Sequence, residues 1–557
     1  MSAGVIDSDR PPSRGALLAV ALVAGLPMLW MAATQRLDFD SWWHVFIARE
    51  YPWARFWRDV EHNAHPPVFF LLLRAVAQLG PERLVYRAIS LLAALVCTYA
   101  VGRIAGRVLR APALAVPCAL AFGLAMPTVV MASAVRGYML SLAFLLIAFR
   151  FYLELIDPRR PAVGRGGIAA FAAALAAAIL THYGALFALV AMGALPVIYA
   201  GVDRHYRRWL VDRPWSGWLA VAAAALAVGA VVVAVYLTHL SRFHLPMAFL
   251  APYFPSAEDW AAGPLRGAAS FLLPALVAEI DLFSPVQIGR RSGPAAAMAV
   301  ALLVAIGAGL VGALRRRPDW PTALAPIAML VQLLVLIAAA ALAGRYPFGG
   351  FLRHQFILFP FAVLAAFALV DTLIAGRRRQ GLVAAALVAG LVLNGVVQWQ
   401  RIPRLTEEPG GEEVARFTDA LGDSQAVYVD HFSLIHLFAG TQPDTWAPQV
   451  GPAGDVEELP VIGPRRTFTV YRDMRRWRSD LGDARVHRDL RGILERSRRP
   501  SIDIFALGIG ADADPPDRAE RVGQAEAIIA AARAAGLRVE RLVLDRQHRY
   551  ARLRLDR

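Results

Sequence analysis

Lysine is missing from this sequence. All 58 residues of the lysine-plus-arginine total are arginine, which alongside the richness in alanine and glycine reads as a coding bias and carries no function. Cysteine is scarce too: Cys97 and Cys118 both fall in apolar runs, which argues against a disulfide framework or a cysteine metal site. No glycine-rich phosphate loop follows any strand-like run, so nucleotide-binding folds of the dinucleotide and P-loop types are excluded. No nucleic-acid motif accompanies the net charge of +15. The arginines sit instead in short runs between apolar segments, where they meet anionic headgroups and set orientation. Nucleic acid is therefore not an expected partner.

What the 557 residues do have is apolar surface. A hydrophobic fraction of 57% and a mean hydropathy of +0.47 place the chain among integral membrane proteins, because a water-soluble domain cannot cover that much apolar area. Residues 1–14 are polar and read as a disordered cytoplasmic N-terminus, and residues 15–33 are apolar for about the length that crosses a bilayer. The next apolar run, Val68 to Leu79, is too short for a span and contains Arg74, so it reads as an interfacial helix. Further spans are expected at about 84–101, 111–126, 137–156, 166–181, 184–200, 216–238, 293–314, 321–343, 354–375 and 381–399.

That gives about eleven crossings, and the arginine runs test the count. With 68–79 kept on one side, the runs around Arg103 to Arg110, Arg159 to Arg165, Arg204 to Arg213, Arg315 to Arg317 and Arg377 to Arg379 all fall on the side of the N-terminus. The positive-inside rule puts that side in the cytoplasm. A crossing at 68–79 would invert every later run. The N-terminus is thus expected inside and the C-terminus outside, in a bacterial cytoplasmic (inner) membrane.

Three pieces then face outward. They are a first external loop over 34–83, a second over 239–292 with Glu279 and Asp281, and a soluble extracytoplasmic segment over 404–557. In the last, strand-like runs such as QAVYVD, TFTVY and SIDIFALG alternate with helical stretches, which reads as a small α/β domain with a mixed sheet. The domain boundary falls at about residue 403, closing a membrane domain over 15–403.

The stretch LDFDSWWHVFIAREYPWARFWRDVEHNAHPP concentrates Asp38, Asp40, His44, Asp59, Glu61, His62 and His65 among aromatic rings. It reads as a site held at a membrane surface. Taken with HPPVFFLLL, ASAVRGYMLSLAFLL, LTHYGALF and FLRHQFILFPF, it resembles the family 39 type of integral-membrane glycosyltransferases of the GT-C fold, the group of the protein O-mannosyltransferases and the lipid A aminoarabinose transferase. The resemblance covers roughly residues 15–400. It implies a mainly α, polytopic GT-C-like membrane protein carrying a C-terminal extracytoplasmic α/β domain. It also implies transfer of a sugar from a polyprenyl-phosphate carrier to a cell-envelope acceptor, generally with inversion. One departure matters: many members have an Asp-Glu pair in the first external loop, and this chain reads Asp40-Ser41.

Under that resemblance Asp40 is the candidate general base, since a carboxylate partly desolvated at the membrane edge gains basicity. Asp38 is its alternate, and both could equally be loop acids that end the first span. His65 could orient a phosphate or sugar hydroxyl. Glu61, His62 and His65 also have metal-ligand character at a spacing that is not diagnostic, so a divalent ion is the one cofactor considered. Arg136 with Tyr138, and Arg353 with His354, stand where external loops enter spans, and a bidentate arginine there suits a lipid phosphate. Snorkelling to the headgroups explains such arginines equally well, and is favoured for Arg345. His182 and Tyr183 interrupt an apolar hairpin, where polar groups face a cavity or cap the turn. A transporter or flippase is the alternative class, disfavoured because the charges gather at one face and no repeat is visible. A noncatalytic envelope-assembly protein is the other.

Overall fold

The computed structural model describes residues 12–49, 53–61, 63, 65–80, 82–159, 164–242, 253–261, 263–283, 304, 306–350, 352–374 and 380–399. Beyond these it describes seven strands and residues 533, 534 and 536. Among the described residues, eight helices are long and apolar enough to cross a membrane: α1 (Arg14–Thr34), α5 (Arg83–Val108), α8 (Tyr138–Leu155), α10 (Ala185–Val202), α12 (Trp215–Thr238), α16 (Trp320–Leu342), α17 (Leu352–Ile374) and α18, which runs from Gln380 to Trp399. A broken pair, α6 (Ala115–Gly123) and α7 (Met126–Ser133), bent by 56°, brings the number to nine when it is counted as one span. The other two expected spans correspond to shorter helices, α9 (Arg165–Ile179) and α15 (Ile306–Arg315). Most of the expected span at 293–314 lies outside the described residues. The chain is a multi-pass membrane protein.

The break between α6 and α7 is a correction to the expected span at 111–126. Pro127 has no N–H to give the Gly123 carbonyl, which leaves that turn of helix without its hydrogen bond. Ala125 takes an extended conformation and a new helix begins at Met126. The crossing then continues to Ser133.

Arg87, in the first turns of α5, is fully buried and donates through Nη1 to the Ala32 carbonyl near the end of α1, 2.6 Å, and through Nε to Ser133 at the end of α7. The end of α1 and the start of α5 are therefore neighbours, and no net crossing lies between them. The segment expected to be interfacial forms α4 (Pro67–Val76) and a 3-10 turn over Ala77–Leu79. Its Arg74 is buried beneath the Trp53 ring, 4.0 Å from the centroid.

The two ends of the helix bundle differ in kind. At one end Arg107 pairs with Asp157 at 3.2 Å, Arg159 with Asp157 at 3.0 Å, and Arg317 with Asp319 at 2.8 Å and with Asp371 at 3.5 Å. Asp371 also accepts from the backbone N–H groups of Arg110 and Ala111. Three of the arginine runs that the sequence assigns to one side thus converge through Asp157, Asp319 and Asp371. The start of α8, the α9–α10 turn, the end of α12 and the α16–α17 loop meet at the other end, as alternating crossings require.

The segment expected as the second external loop contains two helices among its described residues. It carries α13 (Ala257–Ala261) and α14 (Pro264–Phe283). The remaining labels are α2 (Phe39–Arg49), α3 (Trp53–Glu61) and α11 (Arg204–Val211).

The chain falls into two compact units. One comprises residues 1–34, 60–72 and 87–402, and the other residues 35–59, 73–86 and 403–557. The second unit carries a seven-stranded mixed sheet of order β2-β3-β4-β1-β5-β7-β6. Its strands are β1 (Ala426–Asp430), β2 (Ala447–Pro448), β3 (Glu458–Ile462), β4 (Thr467–Tyr471), β5 (Ser501–Leu507), β6 (Arg538–Leu544) and β7 (Tyr550–Asp556). Strand β1 is central and parallel to both β4 and β5, and the outer pairs are antiparallel.

Candidate functional site

Gly137 makes the site possible. A Cβ there would lie 2.9 Å from the Thr181 carbonyl oxygen and 3.3 Å from the Phe69 Cβ, so only glycine lets the start of α8 close onto the α9–α10 turn and the start of α4. Tyr138, the next residue, then stands 4.3 Å from the His182 ring and 5.2 Å from that of His65, centroid to centroid. His65 and His182 are 5.4 Å apart. From α17 His354 adds its ring 5.8 Å from Tyr138 and 5.3 Å from Tyr346.

These rings wall a cleft of about 310 Å³, measured to include its mouth, lined among others by Tyr138, Ser141, His182, Tyr346, Arg353 and His354. The cleft mixes one guanidinium with hydroxyl and imidazole groups over an apolar floor of Leu142, Leu145 and Phe356. Such a lining suits an anionic group beside an apolar or ring-shaped one.

The tautomer of His182 is fixed locally. Its Nδ1 accepts the Gly184 N–H at 3.0 Å, so the ring hydrogen sits on Nε2. Burial pushes its pKa down to about 3, and the ring is a neutral hydrogen-bond donor at physiological pH. Tyr183 turns away from this group and donates its hydroxyl hydrogen to His239 Nδ1. His239 in turn donates from Nε2 to the Val60 carbonyl at 2.8 Å. Tyr183 therefore braces the turn, and is absent from the lining of the cleft.

The α16–α17 loop is strapped at several points. Tyr346 donates its hydroxyl hydrogen to the His354 carbonyl at 3.1 Å, and Gln355 donates to the Pro347 carbonyl at 2.6 Å. Glu279 Oε1 accepts the N–H groups of Gly349 and Gly350 at 3.1 and 3.0 Å. Burial pushes the Glu279 pKa up to about 7 against the pull of those two N–H groups.

Of the residues named from sequence, Tyr138, His182, Arg353 and His354 line the cleft, and His65 packs against two of them. Arg136 is buried two residues before Tyr138, and its carbonyl accepts from Ser90. Asp38 and Asp40 belong to the other unit. There Asp38 caps α2, its Oδ1 accepting the Ser41 N–H at 2.8 Å, and Asp40 stands half-buried in the first turn. Glu61 is exposed, and His62 and the side chains of Asp59 and Asp281 lie outside the described residues. Among the described residues no three His, Cys, Asp or Glu side chains are placed to share a metal ion. Two functional candidates escaped the sequence: Tyr346, hidden beside the exposed Arg345 in a short loop, and His239, which ends an unbroken apolar helix. A polar ring directly after such a helix was the available signal.

Neither a family model nor a curated protein matches this chain. Solved structures do. It is similar to ArnT from Cupriavidus metallidurans bound to undecaprenyl phosphate, with 16% identity and a TM-score of 0.50 over 98% of each chain. It is also similar to the oligosaccharyltransferase of Archaeoglobus fulgidus in complex with Zn and sulfate, with 10% identity and a TM-score of 0.47 over 92% of this chain and 70% of that one. At these identities the likeness concerns architecture, and on that ground the chain has the GT-C fold of membrane glycosyltransferases.

Proposed function

We propose that this protein is a membrane glycosyltransferase that takes a sugar from a polyprenyl-phosphate carrier and transfers it to a cell-envelope acceptor at the extracytoplasmic face. The observation that carries the reading is the convergence of Arg353, His354, Tyr138 and His182 on one cleft, at the end of the bundle away from the arginine-rich runs. A lipid carrier keeps its chain in the bilayer and offers its phosphate at headgroup depth, where a guanidinium and imidazole N–H groups are the donors that would bind it. The ArnT structure of the same fold is bound to undecaprenyl phosphate, and the same class of lipid is proposed here. By the positive-inside rule the arginine-rich end faces the cytoplasm, the N-terminus with it, and the membrane is the bacterial inner membrane.

The chemistry proposed is one displacement. An acceptor oxygen attacks the anomeric carbon, the bond from that carbon to the phosphate oxygen breaks, and polyprenyl phosphate leaves with the bonding pair. Arg353, and the Nε2–H of His182, stabilise the charge that grows on the departing phosphate. Asp40 takes the acceptor proton, an assignment that rests on its chemistry and its position six residues beyond α1 in the sequence. His65 and Tyr138 orient the sugar or phosphate.

The test is transfer from a radiolabelled polyprenyl-phosphate sugar to membrane acceptors, comparing wild type with Asp40→Asn. Loss of a general base predicts a fall of about 10²- to 10⁴-fold with carrier binding retained. Labelled product unchanged in the variant removes Asp40 from the chemistry. Movement of the labelled lipid across vesicles with no covalent product replaces the transferase reading with the flippase.

A further inference from the structure

One buried acid outside the proposed displacement is tied to the loop that carries the cleft residues. Glu279, near the end of α14, is 4% exposed. Its Oε1 accepts the Gly349 and Gly350 N–H groups, and its Oε2 is buried with no hydrogen-bond partner among the described residues. A carboxyl group withdrawn from water costs several kcal/mol unless it is hydrogen-bonded, and the hydrogen bonds it has here are those to the turn. The turn it holds is unusual. Gly349 and Gly350 have φ of 110° and 84°, which aims two successive N–H groups into one concavity that suits a carboxylate.

The same helix face also sets how close the turn comes. A Cβ on Gly349 would lie 3.1 Å from the Ala275 Cβ, and one on Gly350 would lie 3.1 Å from the Ala278 Cβ. Ala275, Ala278 and Glu279 follow each other at helical spacing, so α14 offers two small residues for the turn to rest on and one acid to hold it. On either side of the turn stand Tyr346 and the Arg353–His354 pair, which line the cleft. The hydrogen bonds Tyr346–His354 and Gln355–Pro347 close the loop on itself. The Glu279 carboxylate and the Phe348 N–H, which donates to the Tyr253 carbonyl at 3.1 Å, tie it to the second external loop.

We infer that Glu279 is a positioning residue for the carrier cleft: by holding the Gly349–Gly350 turn against α14 it fixes where Tyr346, Arg353 and His354 stand. The inference rests on the proposed reading of the cleft as a polyprenyl-phosphate site. Glu279 itself need not touch the carrier.

The test measures binding of undecaprenyl phosphate in detergent micelles to the full chain, by native mass spectrometry, alongside the thermal unfolding midpoint. Glu279→Gln keeps a carbonyl oxygen for both N–H groups and is expected to bind within about 3-fold of wild type. Glu279→Asp keeps the charge but is one methylene too short, and Glu279→Ala has no acceptor; each should weaken binding by about 10-fold, the loss of one charge-assisted hydrogen bond. Gly350→Ala, which pushes the turn off α14, should weaken it similarly, and adding it to Glu279→Ala should cost less than the sum of the two. If Glu279→Ala does not fold, the Asp and Gln pair carries the same comparison. Wild-type affinity in the Asp variant overturns the inference, and so does a smaller binding-competent fraction at unchanged affinity, which is the sign of a merely structural role. Failure of the wild-type protein to bind undecaprenyl phosphate overturns instead the reading of the cleft on which the inference rests.

Discussion

The Tyr183 hydroxyl donates to His239 Nδ1, and this one contact ties the α9–α10 turn to the end of α12. His239 Nε2 donates to the Val60 carbonyl, which in the neutral ring leaves Nδ1 as the acceptor for the Tyr183 hydroxyl. Two residues that flank separate apolar hairpins thereby hold the end of α3 as well.

Tyr183→Phe removes the donor and leaves the ring in place. Thermal unfolding in detergent should show a loss of about 1 kcal/mol, the usual net worth of a hydrogen bond. His239→Phe should cost more, because the Val60 carbonyl also loses its partner. Equal midpoints for Tyr183→Phe and wild type would show that the contact holds nothing.

At the other end of the bundle the ordering force is ionic. Burial raises the pKa of Asp157, but hydrogen bonds from Arg159 and the charges of Arg159 and Arg107 outweigh it and bring the group below its ordinary value of 3.8. A carboxylate with a depressed folded pKa contributes stability that is complete above the unfolded value and is lost as pH falls through the folded one. Wild-type stability should therefore drop steeply below about pH 4, and Asp157→Asn should flatten that limb while lowering the plateau near pH 7. Parallel curves for the two proteins would remove Asp157 from the acid response.

How far these features could be read beforehand varied with the physics behind them. That the chain crosses a membrane repeatedly was legible because apolar length reports on the bilayer directly, and the Arg107–Asp157 and Arg317–Asp371 pairs gather three of the arginine runs at one end of the bundle. Tyr138, His182, Arg353 and His354 were legible as polar groups at apolar boundaries. The break at Pro127 was not, because a proline inside an apolar run is compatible with a kinked span as well as with a broken one. Helix α14 was hidden by Pro274 and by the aromatic residues before it. The roles of Tyr346 and Glu279 depend on a turn that only two positive-φ glycines permit, and nothing local in GRYPFGGF points to the helix against which it rests.

Gly137 gives a sharper test of the site than a polar residue does. Its φ of −73° suits any residue, so alanine there brings no backbone strain, only a Cβ lying 2.9 Å from the Thr181 oxygen. Overpacking of this kind costs about 1–3 kcal/mol when the neighbours must move. Since those neighbours set the spacing of Tyr138 and His182, Gly137→Ala should raise the KM for a polyprenyl-phosphate sugar as well as lower the unfolding midpoint. A lower midpoint at unchanged KM would show that the ring spacing is not used in binding.

Arg353 separates a bound phosphate from a headgroup anchor. An arginine that only snorkels needs charge and reach, and lysine supplies both. An arginine that grips a phosphate through two nitrogens needs the planar fork, which lysine lacks. Arg353 lines the same cleft as His354, Tyr138 and His182, so the second behaviour is expected. Arg353→Lys should then lose roughly the value of one charge-assisted hydrogen bond, about 2 kcal/mol, seen as about a 30-fold rise in the KM for a polyprenyl-phosphate sugar, with unchanged membrane insertion. Arg345→Lys is the internal control: Arg345 is exposed in the same loop, and its replacement should leave the KM within about 2-fold. Equal, small effects at both positions would make Arg353 an anchor and take the phosphate grip away from it.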